Sequence, residues 1–197
     1  MDGVLTMTKL TKYLLLGGAA LSLASAASPA LAGYAPLVAG YSGKCTIDWN
    51  RPGDTTAYAA DDAIADSTSA PTDFACTGLV DAAGKMGVIT AVHVTSSNAA
   101  ATPLQMEVFM YDASVDSPND NASFAISDAN AEKLQCRVAL VLSQKDPSNT
   151  SAFNDAVGCP FKTNATTGLY FRFKANAAFT PVSAENLHVE IYSLQTN

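Results

Sequence analysis

Leu104, Met106, Val108 and Met110 recur at every second position, with Gln105 and Glu107 between them. Val138, Leu140 and Leu142 repeat the pattern after an acidic, Asn-rich turn at residues 116–121. Alternation with period two places each set on one face of a β-strand. Towards the end of the chain, Leu169, Phe171 and Phe173 point one way and Arg172 and Lys174 the other. Leu187, Val189 and Ile191 likewise oppose His188, Glu190 and Tyr192. Alternation this clean predicts antiparallel sheets with one buried and one wet face. Residues 86–95, Met-Gly-Val-Ile-Thr-Ala-Val-His-Val-Thr, are the most β-branched run and predict a central strand. The short connector at 96–102 predicts that 88–95 and 104–111 are antiparallel neighbours.

Weaker strand signals fall at 46–49 and 74–80, and Arg51-Pro-Gly-Asp54 is turn chemistry. Residues 128–134 suit a single helical turn with Ser127 as N-cap. Residues 144–157, with Asp146-Pro-Ser-Asn149, read as a surface loop. No long helical period occurs. Seven or eight short strands between turn-rich loops predict an all-β fold, an antiparallel β-sandwich of jelly-roll-like type.

Residues 1–33 change the picture at the N-terminus. Lys9 and Lys12 precede an apolar run from Tyr13, and Ala30-Leu-Ala32 stands before Gly33. A basic start, an apolar centre and a small-residue end are the parts of a secretory signal, with cleavage expected between Ala32 and Gly33. The run is shorter than the ~20 residues of a membrane helix, so no stable span is expected. The other reading of the segment is an uncleaved hydrophobic arm packed on a neighbouring subunit. Residues 34–52, broken by Pro36, Gly40 and Gly43, read as an extended linker or arm, which leaves 53–197 as the sandwich domain.

The chain has 197 residues, 48% hydrophobic and 15% charged, enough to fold as one domain with its own core. Eleven basic against 18 acidic residues give a net charge of −7. A nucleic-acid groove needs a basic stripe to neutralise phosphates, so nucleic acid is not expected as a partner. Anionic membrane surfaces are disfavoured on the same ground. Cys45, Cys76, Cys136 and Cys159 are separated by 31, 60 and 23 residues. Zinc sites use close pairs such as C-x2-C, so disulfides are the better reading in an exported chain. Four cysteines permit three pairings; Cys45 with Cys76 and Cys136 with Cys159 is the one we expect, with buried thiols the alternative in a reducing compartment.

The chemistry-bearing residues are few. His93 and His188 are the two histidines, each on a strand without a partner in sequence, which is the setting of packing or surface residues. No Gly-x-Ser-x-Gly, His-Glu-x-x-His or phosphate-cradling loop is present. Glu107 and Glu190 are the carboxylates that glycoside hydrolysis would draw on, and outward strand carboxylates are ordinarily solvated. Asp112, Asp116, Asp120 and Asn121 offer oxygen ligands for calcium without following its loop pattern, and read better as a solvated turn. Tyr58, Tyr111, Tyr170 and Tyr192 are the candidates for a sugar-stacking face. Asn121, Asn149 and Asn164 carry the glycosylation sequon, a pattern small polar loops produce by chance. We expect no cofactor, no metal and no catalytic residue.

Three stretches carry a resemblance. Gly53-Asp-Thr-Thr-Ala-Tyr-Ala-Ala-Asp-Asp-Ala-Ile64, then Asp120-Asn-Ala-Ser-Phe-Ala-Ile-Ser-Asp-Ala-Asn-Ala131, then Cys159-Pro-Phe-Lys162 with Gly168-Leu-Tyr170 resemble small virion proteins of tailed bacteriophages. The likeness spans most of residues 53–195. Such proteins look like capsid-decorating or cementing subunits, several of them jelly rolls that form trimers on the head. The resemblance implies a virion-surface protein that stabilises a shell by contact with itself and with the major capsid or another shell protein. The alternative expectation is an exported, disulfide-stapled sandwich, secreted or at the cell surface, that binds a surface or glycan or builds a filament.

Overall fold

The computed structural model describes residues 41–99 and 103–196. The leader at 1–33, the junction at Ala32 and Gly33, and the arm up to residue 40 lie outside those residues. No helix among the described residues is long and apolar enough to cross a membrane.

Among the described residues, eleven strands and one short helix follow in order: β1 Ser42–Asn50, β2 Ala63–Ile64, β3 Ala75–Cys76, β4 Met86–Ser96, β5 Gln105–Tyr111, α1 Asp128–Ala131, β6 Leu134–Val141, β7 Gln144–Lys145, β8 Thr150–Asn154, β9 Cys159–Lys162, β10 Leu169–Ala175 and β11 Asn186–Thr196. They form two antiparallel sheets. One has the order β1-β11-β4-β8-β7, with β9 also on β4; the other runs β2-β10-β5-β6, with β3 also on β10. The chain crosses between the sheets repeatedly, as in jelly-roll-like sandwiches.

The alternation read from the sequence fills the space between the sheets. Leu187, Val189 and Ile191 of β11 face Phe171 and Phe173 of β10, all at most 1% exposed. Met106, Val108 and Met110 of β5 join them. Trp49 of β1 stacks on Phe173 at 4.5 Å between ring centroids and meets Phe74 at 4.8 Å, tying the first strand to the opposite sheet. Burial of each such side chain contributes about 1.5–3 kcal/mol.

Three expectations change. β1 pairs with β11 over its whole length, Ser42 opposite Leu194 to Asn50 opposite Asn186. Residues 42–50 of the stretch expected to be a linker or arm are therefore a sandwich strand, and the sandwich begins before Gly53. Inward Cys45, Ile47 and Trp49 against outward Lys44, Thr46 and Asp48 carry the strand, behind a glycine-rich start that obscures it. Second, β4 and β5 are not neighbours: β4 lies between β11 and β8, and β5 between β10 and β6. The chain passes from one sheet to the other between these two strands, since period-two alternation fixes the buried face of each and not its neighbour. Third, the loop expected at 144–157 contains β7 and β8, and β8 pairs with β4 from Val92 opposite Asn154 to Ser96 opposite Thr150. The strand 74–80 shrinks to the two residues of β3.

The disulfides join Cys45 to Cys76 and Cys136 to Cys159, with Cα–Cα separations of 5.7 and 6.1 Å. Each crosses from one sheet to the other. The first links β1 to β3, the second β6 to β9, so the sandwich is stapled along both open sides.

Gly168 makes room for one of these staples. A Cβ there would stand 1.6 Å from the Cys76 carbonyl oxygen, a distance no contact permits. Gly168→Ala is therefore expected to destabilise the fold by about 3 kcal/mol, since the obstacle is backbone that cannot swing aside. Urea titration of the two proteins reads this difference, and equal midpoints would contradict the close approach.

Candidate functional site

The two outer faces of the sandwich differ in what covers them. Over the five-stranded sheet, residues 112–127 fold back so that Phe124, Ile126 and Val115 pack on Phe109, Tyr111 and Tyr170. Arg172 holds this cover down: its guanidinium donates to the carbonyls of Asp116 at 2.8 Å and Val115 at 2.5 Å, and to the Asp73 carboxylate at 2.6 Å. Expected to point outward into water, Arg172 is 4% exposed beneath the loop.

The six-stranded sheet carries the chain's two histidines on its outer face. Register does this: Asp48 of β1 stands opposite His188 of β11, and His188 opposite Thr95 of β4. One row along, Glu190 stands opposite His93, and His93 opposite Phe153 of β8. Four strands thus bring together residues that are far apart in sequence.

Glu190 is the hub. Lys44 donates to its Oε1 at 2.5 Å, and the Tyr192 hydroxyl donates to Oε2 at 2.7 Å. His188 Nε2 lies 3.4 Å from Oε1, and His93 Nδ1 lies 4.0 Å from Oε2. On its other nitrogen each imidazole meets a further carboxylate at 2.5 Å, Asp48 for His188 and Asp155 for His93. His93 also stands edge-on to Phe153 at 4.8 Å and beside Tyr192 at 5.0 Å, while Lys44 sits over the Tyr192 ring at 5.3 Å. A row of rings, Phe153, His93 and Tyr192, runs across the sheet flanked by carboxylates.

The charges respond to one another. The Lys44 ammonium, then the Tyr192 hydroxyl, hold the Glu190 carboxyl down at about 2. The Asp48 carboxylate, helped by Glu190, raises the His188 imidazole above its ordinary value. A raised histidine contributes stability that is fully present below pH 6.5 and is lost as the pH rises through its folded value. A depressed carboxyl contributes stability present above 4.5 and lost as the pH falls towards 2. Both contributions coexist between about pH 4.5 and 6.5, so thermal stability is expected to be greatest there. Glu190→Gln is expected to lower the His188 titration midpoint, read by NMR, and to flatten the decline of melting temperature on either side. An unchanged midpoint would separate His188 from Glu190.

Chemically this face offers exchangeable protons, paired charges and aromatic edges along strands open to contact. Among the described residues no three His, Cys, Asp or Glu side chains gather as ligands for a metal ion.

The other candidates are scattered. Glu107 lies on the outer face of the five-stranded sheet, 3.4 Å from Lys174 and 3.6 Å from Arg137, so it does not face Glu190. Asp120 is not in a solvated turn: it is 4% exposed, and its carboxylate accepts from Arg51, Tyr58 and the Ala65 N–H. Asp116 turns outward instead, with its carboxyl held at about 2 by the Ser127 N–H. Asn121 takes a φ of 58°, the left-handed conformation asparagine tolerates. Tyr58 and Tyr111 are each 2% exposed and Trp49 5%, so the four tyrosines make no common face. The histidine cluster escaped sequence reasoning because its members join only through register. Alternation at 44, 46 and 48 and at 188, 190 and 192 was the available signal.

An antiparallel two-sheet sandwich, closed on both sides by disulfides and bearing a polar aromatic face, is the class that fold and site define. No protein-family model matches the chain, and no curated protein sequence matches it significantly.

Proposed function

We propose that this protein is a structural subunit that decorates and stabilises a virion shell, acting through contacts with itself and with shell protein and turning over no substrate. The observation that carries a structural role is the pair of disulfides, one on each side of the sandwich. A body pinned this way keeps its shape when a partner loads one face. The resemblance of residues 53–195 to virion proteins supplies the partner. The outer face of the six-stranded sheet is the contact surface we assign, since loop 112–127 covers the other sheet. A stable contact needs roughly 800 Å² from each partner, and rows of alternating polar and aromatic side chains across four strands suit that demand.

A second reading has its own observation. Disulfides persist in oxidising compartments, and residues 1–33 have the parts of a secretory signal. An exported subunit that binds a surface or glycan, or builds a filament, meets both.

Fractionation with intact mass separates the two. Decoration predicts the chain in purified particles, released by mild chaotrope and rebinding to stripped shells. Export predicts a particle-free, oxidised chain that begins at Gly33 in the culture supernatant. That second outcome would remove the virion reading.

A further inference from the structure

We infer that two copies of this chain pack through the outer faces of their six-stranded sheets, about a two-fold axis that runs along the strands between β11 and β4. Register lays that face out in rows. One row holds Lys44, Tyr192 and Ala91, with Asp155 at its far end, one residue beyond the pairing of Asn154 with Val92. The next holds Thr46, Glu190, His93 and Phe153, and the third Asp48, His188, Thr95 and Ser151. An axis along the strands sets β1 of one copy over the β8 column of the other, and β11 over β4. In the first row Lys44 then meets Asp155 and Tyr192 meets Ala91. In the second Glu190 meets His93 and Phe153 meets Thr46, while in the third Asp48 meets Ser151 and His188 meets Thr95. An ammonium faces a carboxylate, a carboxylate faces an imidazole, and the rings of Tyr192 and Phe153 each face a small side chain. No two like charges meet in these rows.

The direction of the axis is what the residues select. A two-fold axis laid across the strands at the middle row would set Glu190 on Glu190 and Phe153 on Phe153, and like charges in direct opposition cost affinity. Along the strands, symmetry repeats each favourable pairing twice. The end groups have room for a second partner: the Lys44 side chain is 48% exposed, and Asp155, 74% exposed, spends only Oδ1 on His93. Phe153, 48% exposed, is a large ring left open beside them. Size also fits. Four strand columns, the fourth made by β8 and β9 in line along β4, with about ten residues in each, give roughly 650 Å² per copy, near the ~800 Å² of a standard interface. The strands of the two sheets come out aligned, as they do where twisted sheets pack face to face. The inference rests on the self-association in the proposed function and gives this face to the second copy, so shell contact falls to the remaining surface.

The test is charge reversal in the purified, oxidised full chain, with the dimer Kd read from a dilution series by light scattering. At about 100 µM, where contacts of micromolar Kd are filled, the native protein is expected at twice its 20.4 kDa monomer mass. Lys44→Glu would set carboxylate on carboxylate and Asp155→Lys ammonium on ammonium, twice in each dimer. Each is expected to raise the Kd about a hundredfold. Mixed in equal amounts, the two variants are expected to pair with each other at near-native Kd, because every end contact then joins an ammonium to a carboxylate. The chain carrying both substitutions is expected to dimerise alone for the same reason. An effect confined to Glu190 or His93 of the same copy would not be rescued by mixing, and rescue shows that both variants fold. A monomeric or trimeric native chain, a single variant as dimeric as the native one, or a mixture that stays monomeric would overturn the inference. A native monomer that binds purified shells would overturn it and leave decoration standing. A native dimer that obeys the charge rescue but ignores shells would uphold it and remove decoration.

Discussion

Asp120→Ala is expected to destabilise the folded chain by about 3–5 kcal/mol, the largest single-residue effect outside the disulfides. Asp120 and Arg51 form an ion pair at 2.8 Å with side-chain exposures of 0% and 1%. The carboxylate's other oxygen accepts from the Tyr58 hydroxyl at 2.6 Å and the Ala65 N–H at 2.8 Å. Tyr58 in turn receives the Arg51 Nε–H, and its ring lies 4.5 Å from the guanidinium carbon. Burial, and then the Asp120 carboxylate, push the Tyr58 phenol well above its ordinary value, so it remains a protonated donor. Alanine at 120 would leave a guanidinium buried without a counter-charge, and one of its nitrogens, Nη1, already lacks a partner. The cost comes from that stranded charge, not from the net worth of the pair. The double variant Arg51→Met with Asp120→Leu is therefore expected to recover most of the loss. Urea denaturation of the single and double variants reads both statements. A D120A protein within 1 kcal/mol of the native one would show that the Arg51–Tyr58–Asp120 group locks nothing.

Removing either disulfide is expected to cost about 3.5 kcal/mol. Chain-entropy loss on closing loops of 31 and 23 residues gives nearly the same figure for both. The staples lie on opposite sides of the sandwich and share no partner, so their effects should add to about 7 kcal/mol. That is comparable to the whole stability of many domains, roughly 5–15 kcal/mol. Cys45→Ala with Cys76→Ala, and Cys136→Ala with Cys159→Ala, are each expected to fold with a lowered melting temperature. The fully reduced chain is expected to be largely unfolded at 37 °C. A reduced protein that melts where the oxidised one does would show that the sheets hold without their staples. Neither cysteine pair touches the histidine cluster, so the Glu190 and His188 titrations should survive loss of one staple.

Strand identity was largely legible along the chain. Where apolar residues alternate without interruption, as at 104–110, 169–173 and 187–191, a two-residue period leaves one choice of buried face, and the sheets adopted it. Sheet membership was not legible, because alternation says which face a strand buries and not which strand lies beside it. That is why β4 and β5, close in sequence and each well patterned, part to opposite layers. It is also why Asp120 read as a solvated turn residue: its three partners come from positions 51, 58 and 65, and only the folded loop gathers them.

By itself the sequence determined an acidic, cysteine-bearing all-β chain with strands of known inward face, since composition and period are local properties that neighbours along the chain enforce. The cysteine pairing, Cys45 with Cys76 and Cys136 with Cys159, is the one expected from the sequence, whereas tertiary structure alone decided which strands share a sheet and how the two histidines come to share Glu190. Those are relations between residues as much as 146 positions apart, as Lys44 and Glu190 are, and only strand register across the sheets brings such residues within bonding distance.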